Sequence, residues 1–204
     1  YLEDGVEEHN VIEFNLGAHV HFLGPPQFSG AQFMNDVPGH ANLLNPADVT
    51  ASAFYITNAY NYFRGNAASG GYSGFAIVML ERPILAHRNV ERDWGTWPQR
   101  RPFLQFDGNS CHSSGFWWVQ AGCIYVGGRL WHPNSNSDAL TYNPGRWVAG
   151  RDTHCLGDDN NYHPCPLVMT NTKVFLTNWG INNWGARGEI RNLEAYDTQR
   201  AAGI

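Results

Sequence analysis

The hydrophobic pattern of this chain is a series of short strands. Runs rich in β-branched and aromatic residues recur along it, and clusters of Gly, Pro, Asn and Asp separate them. No helical periodicity persists for three turns. The segments that fit a strand are residues 11–14, 18–23, 53–63, 75–80, 103–106, 115–120, 124–126, 129–131, 146–149, 173–177 and 189–196.

These segments predict an all-β fold. Short strands with turns between them, without a linker or a visible long-period repeat, favour a single antiparallel β-sandwich, jelly roll or barrel with little or no helix. Residues 75–80 are apolar throughout, which predicts a central strand covered on both faces. The loops at 24–49, 134–145 and 155–166 are long, and long ordered loops on a β scaffold usually carry the function.

Composition and charge exclude several classes of protein. Charged residues are only 15% and aromatic residues 14%, which excludes a disordered polyelectrolyte. The net charge of -5 argues against a nucleic-acid partner, and no apolar run approaches the roughly 18 residues that membrane insertion requires. Five of the 18 acids lie in residues 1–13, so the other 13 balance the 13 bases. We therefore predict an acidic leader, residues 1–10, followed by a single all-β recognition domain, residues 11–204.

Paired tryptophans are the candidate ligand contacts. Indole faces suit the C–H side of a pyranose, and neighbouring amides and guanidinium groups suit its hydroxyls. The alternative is that these rings plug the ends of the sandwich. The predicted ligand-binding residues are Trp94 and Trp97 in one tight segment, and Trp179, Asn182, Asn183, Trp184 and Arg187 in another.

A basic stretch adds a second candidate for ligand contact. Residues 82–101 hold five arginines against two acids, interleaved with tryptophan. Such a stretch suits an anionic ligand such as a sialylated or sulfated glycan, or a nucleic-acid strand. A solvated loop with intrachain ion pairs is the alternative. The arginines are Arg82, Arg88, Arg92, Arg100 and Arg101.

Metal and catalytic sites find less support. His19 and His21 are two apart on a predicted strand, so both rings face one side and can chelate one ion. The pair resembles the histidines of cupins, but Phe22 and the residues after it replace the expected acid. Facing carboxylates, a nucleophile elbow and a phosphate loop are absent. We predict no catalytic residue and no cofactor.

The four cysteines are enough for two bridges. Cys155 and Cys165 flank an Asx-rich turn, and three alternatives are open for them: a disulfide bridge that closes the loop, two reduced thiols, or a zinc site with the adjacent His154 and His163.

Two resemblances extend these predictions. Residues 188–197, an alternating strand that follows a glycine and ends in Tyr-Asp, and the opening runs at 11–14 and 18–22 resemble concanavalin A-like and laminin G-like jelly rolls. That resemblance implies a sandwich and a tendency to bind glycans. The Lys-poor, loop-rich chain after the acidic residues 3–8 is similar to viral surface spikes of the avian astrovirus capsid type and to phage fibre tips, which implies host attachment and assembly.

The leading prediction is a non-catalytic recognition domain that binds a carbohydrate or a glycosylated host receptor through loop aromatics. We expect it at the cell exterior or on a virion surface, as a homodimer or homotrimer. The alternatives are a viral capsid spike or phage fibre domain, and a metal-dependent enzyme that uses His19 and His21.

Overall fold

The chain is described by a computed structural model for residues 1–21, 51–90, 97–115, 120–132, 141–143, 152–184 and 187–203. These residues confirm the all-β class, and no helix among them has the length and apolarity needed to cross a membrane. Short 3₁₀ turns cover Leu85–His87 and Pro98–Arg100. The strands, in chain order, are β1 (Val11–Glu13), β2 (Leu16–Val20), β3 (Ser52–Ile56), β4 (Tyr62–Arg64), β5 (Ala67–Gly70), β6 (Ser73–Leu80), β7 (Gln105–Asp107), β8 (Ser110–His112), β9 (Ile124–Trp131), β10 (Thr141–Asn143), β11 (Thr153–Leu156), β12 (Tyr162–Cys165), β13 (Leu167–Thr170), β14 (Lys173–Asn183), β15 (Gly188–Arg191) and β16 (Glu194–Gly203).

The strands wind into a parallel β-helix with three faces, so the predicted antiparallel pairing of a sandwich or jelly roll is wrong. Face 1 stacks β1, β4, β7, β13 and β15 in parallel. Face 2 stacks β2, β5, β8 and the first parts of β14 and β16. Face 3 stacks β3, β6, β9 and the last parts of β14 and β16. Coils 1 to 5 start at β1, β4, β7, β13 and β15.

The corner between faces 1 and 2 explains this winding. One residue at each corner has a left-handed backbone, and the chain turns there onto the next face instead of folding back as a hairpin does. Each strand therefore pairs with the strand one coil later. Alternation of apolar and polar residues is the same in both arrangements, so it could not distinguish them. The predicted strand at 189–196 is accordingly two strands, because Asn192 at φ 54 forms the corner.

An asparagine ladder lies inside this corner. The Asn66 side-chain oxygen accepts hydrogen bonds from the backbone N–H and side-chain amide of Asn15. Asn109 accepts the same pair of bonds from Asn66, and both Asn66 and Asn109 are fully buried. Hydrogen-bonded positions at this corner are separated by 51, 43, 63 and 21 residues in successive coils, so the repeat has no fixed period in the sequence.

The core fills the interior of the coils. Phe63, Phe106 and Met169 stack along face 1, while Phe75, Ile124 and Ile181 stack along face 3. A Cys111–Cys123 disulfide lies among them, with both cysteines buried. All eight residues of β6 are buried, which confirms the prediction of a strand covered on both faces.

Insertions between the coils form the antiparallel pairs of the described residues. β10 pairs with β9, and β11 pairs with β12 as a hairpin closed by a Cys155–Cys165 disulfide. This bridge is the first of the three alternatives left open for these cysteines. The insertions follow β6 and β9, at the corner where face 3 leads back to face 1.

Some predicted segments lie outside the described residues. They include the strand at 146–149, the middle of the strand at 115–120, the whole loop at 24–49 and most of the loop at 134–145. Residues 1–10, predicted as an acidic leader, lie along the coils, where Leu2 forms a parallel bridge with Ile56.

Candidate functional site

A cleft of about 680 Å³ opens where the insertion after β6 meets the end of β9. Leu80, Ile84 and Leu130 form an apolar floor, and all three are buried. Above them the polar and aromatic residues converge from two stretches of chain. They are Glu81, Arg82, Arg88 and Asn89 from the insertion, and Arg129, Trp131 and His132 from β9 and the residue after it.

A register shift between β6 and β9 directs the end of β9 toward the cleft. The register between β6 and β9 shifts between Ile77 and Met79. Opposite that shift lies Gly128, at φ +74, where an added Cβ would lie 2.3 Å from the Tyr142 hydroxyl oxygen. A glycine is therefore required there. Beyond it, Arg129 and Trp131 are two residues apart in β9 and share a side of the strand.

The described residues that line the cleft carry an excess of positive charge. Three arginines against Glu81 leave a formal charge of 3 − 1 = +2, with His132 counted as neutral. Arg129 Nη2 lies 2.9 Å from Glu81 Oε1, and the Arg129 guanidinium carbon lies 4.9 Å from the centre of the Trp131 ring. Arg129 Nε is buried without a hydrogen-bond partner among the described residues. Arg82 and Arg88 are exposed at the opposite wall.

This combination suits a small polar ligand that carries negative charge. The volume lies within the usual range for small-molecule sites, about 300 to 1,000 Å³. Guanidinium groups recognise carboxylate and sulfate oxygens by paired N–H donors, and the indole offers a flat apolar face. A second hollow, beside Met79 and Arg101, holds about 20 Å³ and is large enough for roughly one water molecule.

The predicted tryptophan contacts are spread over the molecule, and none of those described lines the cleft. Trp94 lies outside the described residues. Trp97 is 36% exposed and has the Arg100 guanidinium 4.4 Å from its ring centre. Trp179 lies within β14, not in a loop, and the Arg200 guanidinium from coil 5 lies 4.5 Å from its ring centre.

The neighbours of Trp179 are largely engaged in packing. Asn182 is buried and donates to the backbone oxygen of Gln120. Asn183 is partly buried at the end of β14. Trp184 packs against a buried cluster that contains Tyr72 and Tyr125. Arg187 is exposed, with its Nε 3.7 Å from Asp152. Ligand contact by these residues stays a prediction.

The rings of the histidine pair lie close together, but no third metal ligand joins them among the described residues. The rings of His19 and His21 have centres 5.5 Å apart, and both residues are exposed. Within the described ranges, no group of three or more His, Cys, Asp or Glu residues is arranged to hold a metal ion.

The β11–β12 hairpin carries a separate acid–histidine pair. His163 Nε2 lies 2.9 Å from Asp159 Oδ1. The bond to His163, followed by those from Asn161, lowers the pKa of Asp159 to about 2. The pair is exposed at the tip of the insertion, and it orders the turn between the two strands.

The sequence indicated one wall of the cleft and missed the other. Arg82 and Arg88 belong to the basic stretch that was predicted to contact an anion. Arg129, Trp131 and His132 were identified only as part of, or next to, a strand. Their signal is the alternation Arg-x-Trp, which places a cation and an indole on one side, but it does not show what they face.

Comparison with known proteins agrees with the winding of the chain. Residues 1–118 match the family model described as CEMIP beta-helix, which is more than half of the chain. The chain belongs to the CEMIP β-helix family. The parallel stacking of β1 to β9, most of which lies in the matched region, is the geometry that this family name describes.

Two relatives from Dictyostelium discoideum match this chain along its whole length, and a mouse relative matches part of it. The protein rliB of Dictyostelium discoideum is 44% identical over 206 residues, and communication mutant protein F of the same organism is 42% identical over 204. Fibrocystin-L of Mus musculus is 30% identical over 122 residues, which is 58% of this chain and 2% of that protein.

This CEMIP β-helix chain spans about 18% of the length of rliB and of communication mutant protein F. Neither a jelly-roll lectin nor a viral spike is among the relatives named here, and the parallel coils differ from the antiparallel jelly roll that the chain ends resembled.

Proposed function

We propose that this domain is a non-catalytic recognition module of the cell exterior that binds an acidic carbohydrate in the cleft. The observation that carries the proposal is the convergence of Arg82, Arg88 and Arg129 with Trp131 over an apolar floor. Arginine donors match the carboxylate or sulfate of an acidic sugar, while the indole matches its C–H face.

Two disulfides support an extracellular location. Disulfides persist in oxidising compartments and are rare in the cytosol, and this chain forms Cys111–Cys123 and Cys155–Cys165.

Assembly into a dimer or trimer stays a prediction. Light scattering of the purified chain tests it. The absence of catalysis also stays a prediction, and chromatography of the glycan recovered from the binding samples tests whether it was changed.

The decisive experiment compares ligands that differ by one acidic sugar. Calorimetry with sialyllactose and with lactose isolates the carboxylate, and a sulfated heparin oligosaccharide provides the sulfate arm. We expect binding of at least one acidic glycan and none of lactose. Binding that weakens with added salt would agree with ion pairing. Equal binding of lactose, or no binding of either acidic glycan, contradicts the proposal.

Variants locate the site. Removing both wall arginines by Arg82→Ala and Arg88→Ala should weaken binding at least about tenfold, because each charge-assisted hydrogen bond is worth about 1.5 to 3 kcal/mol. The matched control is Arg191→Ala, an exposed arginine paired with Glu189 on coil 5. An oligothymidylate tests the nucleic-acid alternative, since comparable affinity for it would indicate a general polyanion surface.

The loop-aromatic contacts form a separate part of the prediction. Trp179→Ala and Trp184→Ala proteins that fold and still bind with unchanged affinity would remove those residues from the site and leave the cleft as the binding surface.

A further inference from the structure

The N-terminal segment, residues 2–8, holds one wall of the cleft. This segment, here called the strap, is far from the cleft in sequence but touches the insertion that carries Arg82 and Arg88. The Ile84 backbone N–H donates to the Asp4 backbone oxygen at 3.1 Å, and His87 Nδ1 lies 2.6 Å from Asp4 Oδ2. His87 directly precedes Arg88, so Asp4 contacts the wall of the cleft next to one of its lining arginines.

The strap is itself anchored at both ends. Leu2 exchanges backbone hydrogen bonds with Tyr55 and Thr57 of coil 1. At the other end, the Glu8 carboxylate accepts a hydrogen bond from Asn58, just after β3 of coil 1, and forms two bonds with Arg101, at 2.7 and 2.8 Å; the Glu8 side chain is only 7% exposed. Both ends are therefore fixed to parts of the molecule that do not line the cleft.

The middle of the strap is shaped to lie flat against the base of the wall. Gly5 has φ +85, and an added Cβ would lie 2.7 Å from Leu80 and 2.8 Å from Pro98. The Glu7 carboxylate accepts backbone N–H bonds from Glu3, Asp4 and Gly5, which fixes the turn that presents Asp4. The Asp4 side chain is 16% exposed, so neighbouring atoms restrict its movement.

We infer that Asp4 and His87 are positioning residues for the acidic-glycan cleft. Through Asp4, the anchored strap fixes the 3₁₀ turn Leu85–His87. The position of this turn then determines where Arg88 and Asn89 lie relative to Arg129. The identity of the ligand in this inference rests on the proposed function. That the strap holds residues 84–90 in place rests only on the contacts described above.

Electrostatics and positioning predict opposite signs for the same substitution. Asp4→Asn removes a negative charge near a basic cleft, so a purely Coulombic effect would strengthen the binding of an anion. If Asp4 positions the wall, the same change should weaken sialyllactose or heparin-oligosaccharide binding by roughly fivefold, within the range of couplings transmitted through packed contacts. The sign of the change therefore separates the two roles.

Companion variants test the contact from its other side. His87→Ala keeps the Asp4 charge but removes its partner and should weaken binding to a similar extent, and the double variant should lose no more than either single one. Asp4→Glu keeps the carboxylate and should retain most of the affinity. The control is Asp159→Asn, which removes the same charge from the Asp159–His163 pair outside the cleft and should leave binding unchanged.

Hydrogen exchange provides the readout that needs no ligand. In Asp4→Asn protein, amides of residues 84–90 should exchange faster than in the parent, while those of β6 should not change. Unchanged exchange of 84–90, or tighter anion binding by Asp4→Asn, overturns the inference. If the parent protein binds no acidic glycan, the proposed function fails, yet exchange still decides whether the strap orders this wall.

Discussion

The coils and the insertions of this molecule differ in how their strands pair. Coils 4 and 5 follow one another after 21 residues, and their strands pair in parallel over their length, as in the Lys173–Asn183 and Glu194–Gly203 pair. The insertions after β6 and β9 instead contain the 3₁₀ turns and the antiparallel strands of the described residues.

The difference shows where recognition is possible on such a fold. A regular coil presents the same kind of flat sheet surface at each level, so it offers no concave site. The cleft arises where the corner between faces 3 and 1 departs from the coil, and the chain of coil 2 supplies one wall while coil 3 supplies the other. The repeated corner keeps these two coils in register, and the groups that line the cleft come from the insertion after β6 and from the end of β9.

The largest expected effect comes from breaking the repeated corner. Asn109→Leu removes the acceptor of two Asn66 bonds and the donor to Phe63 O, all at fully buried positions. Because several buried groups lose partners, we expect the free energy of unfolding to fall by about 4 kcal/mol in urea denaturation. The control Asn161→Leu, on the exposed hairpin turn, should change it by less than about 0.5 kcal/mol. Equal losses would contradict the comparison.

The two disulfides give the next effect. Cys111→Ala with Cys123→Ala opens a bridge inside the coils, and we expect a loss of about 3 kcal/mol in the free energy of global unfolding. Cys155→Ala with Cys165→Ala opens a loop of similar length in the hairpin, where separate local unfolding should limit the global loss to about 1 kcal/mol. Sequence separations of 12 and 10 make the pair well matched. A larger loss from the hairpin variant would show that the insertion supports the coils.

The smallest effect concerns the exposed hairpin pair. The low pKa of Asp159, about 2, means that its contribution to stability is complete above the ordinary aspartate value of about 4 and is lost as the pH falls toward 2. An NMR titration of the carboxyl carbon should show this low midpoint, and His163→Gln should raise it. An unchanged midpoint in that variant would assign the shift to the Asn161 bonds instead.

Particular residues show how far sequence reasoning reached. The run at 75–80 was correctly predicted as a doubly covered strand, since an uninterrupted apolar stretch has no solvent-compatible side. The corner at Asn192 was missed, because a single left-handed residue between two short strands leaves the alternation nearly intact. The Trp179 segment was predicted as a loop, although β14 continues through it to Asn183. Its Asn-Trp-Gly pattern is typical of turns, and pairing with coils 3 and 5 overrides that preference.

From the sequence alone came the all-β class and the buried strand, the Cys155–Cys165 bridge as one of three alternatives, and the basic stretch that contains Arg82 and Arg88. These depend on local composition and spacing, which the chain displays directly. The tertiary structure decided the parallel stacking and the meeting of that wall with Arg129 and Trp131. The physical reason is that coil lengths vary with each insertion, so residues that stack one level apart have no fixed separation along the chain, and only folding brings them together.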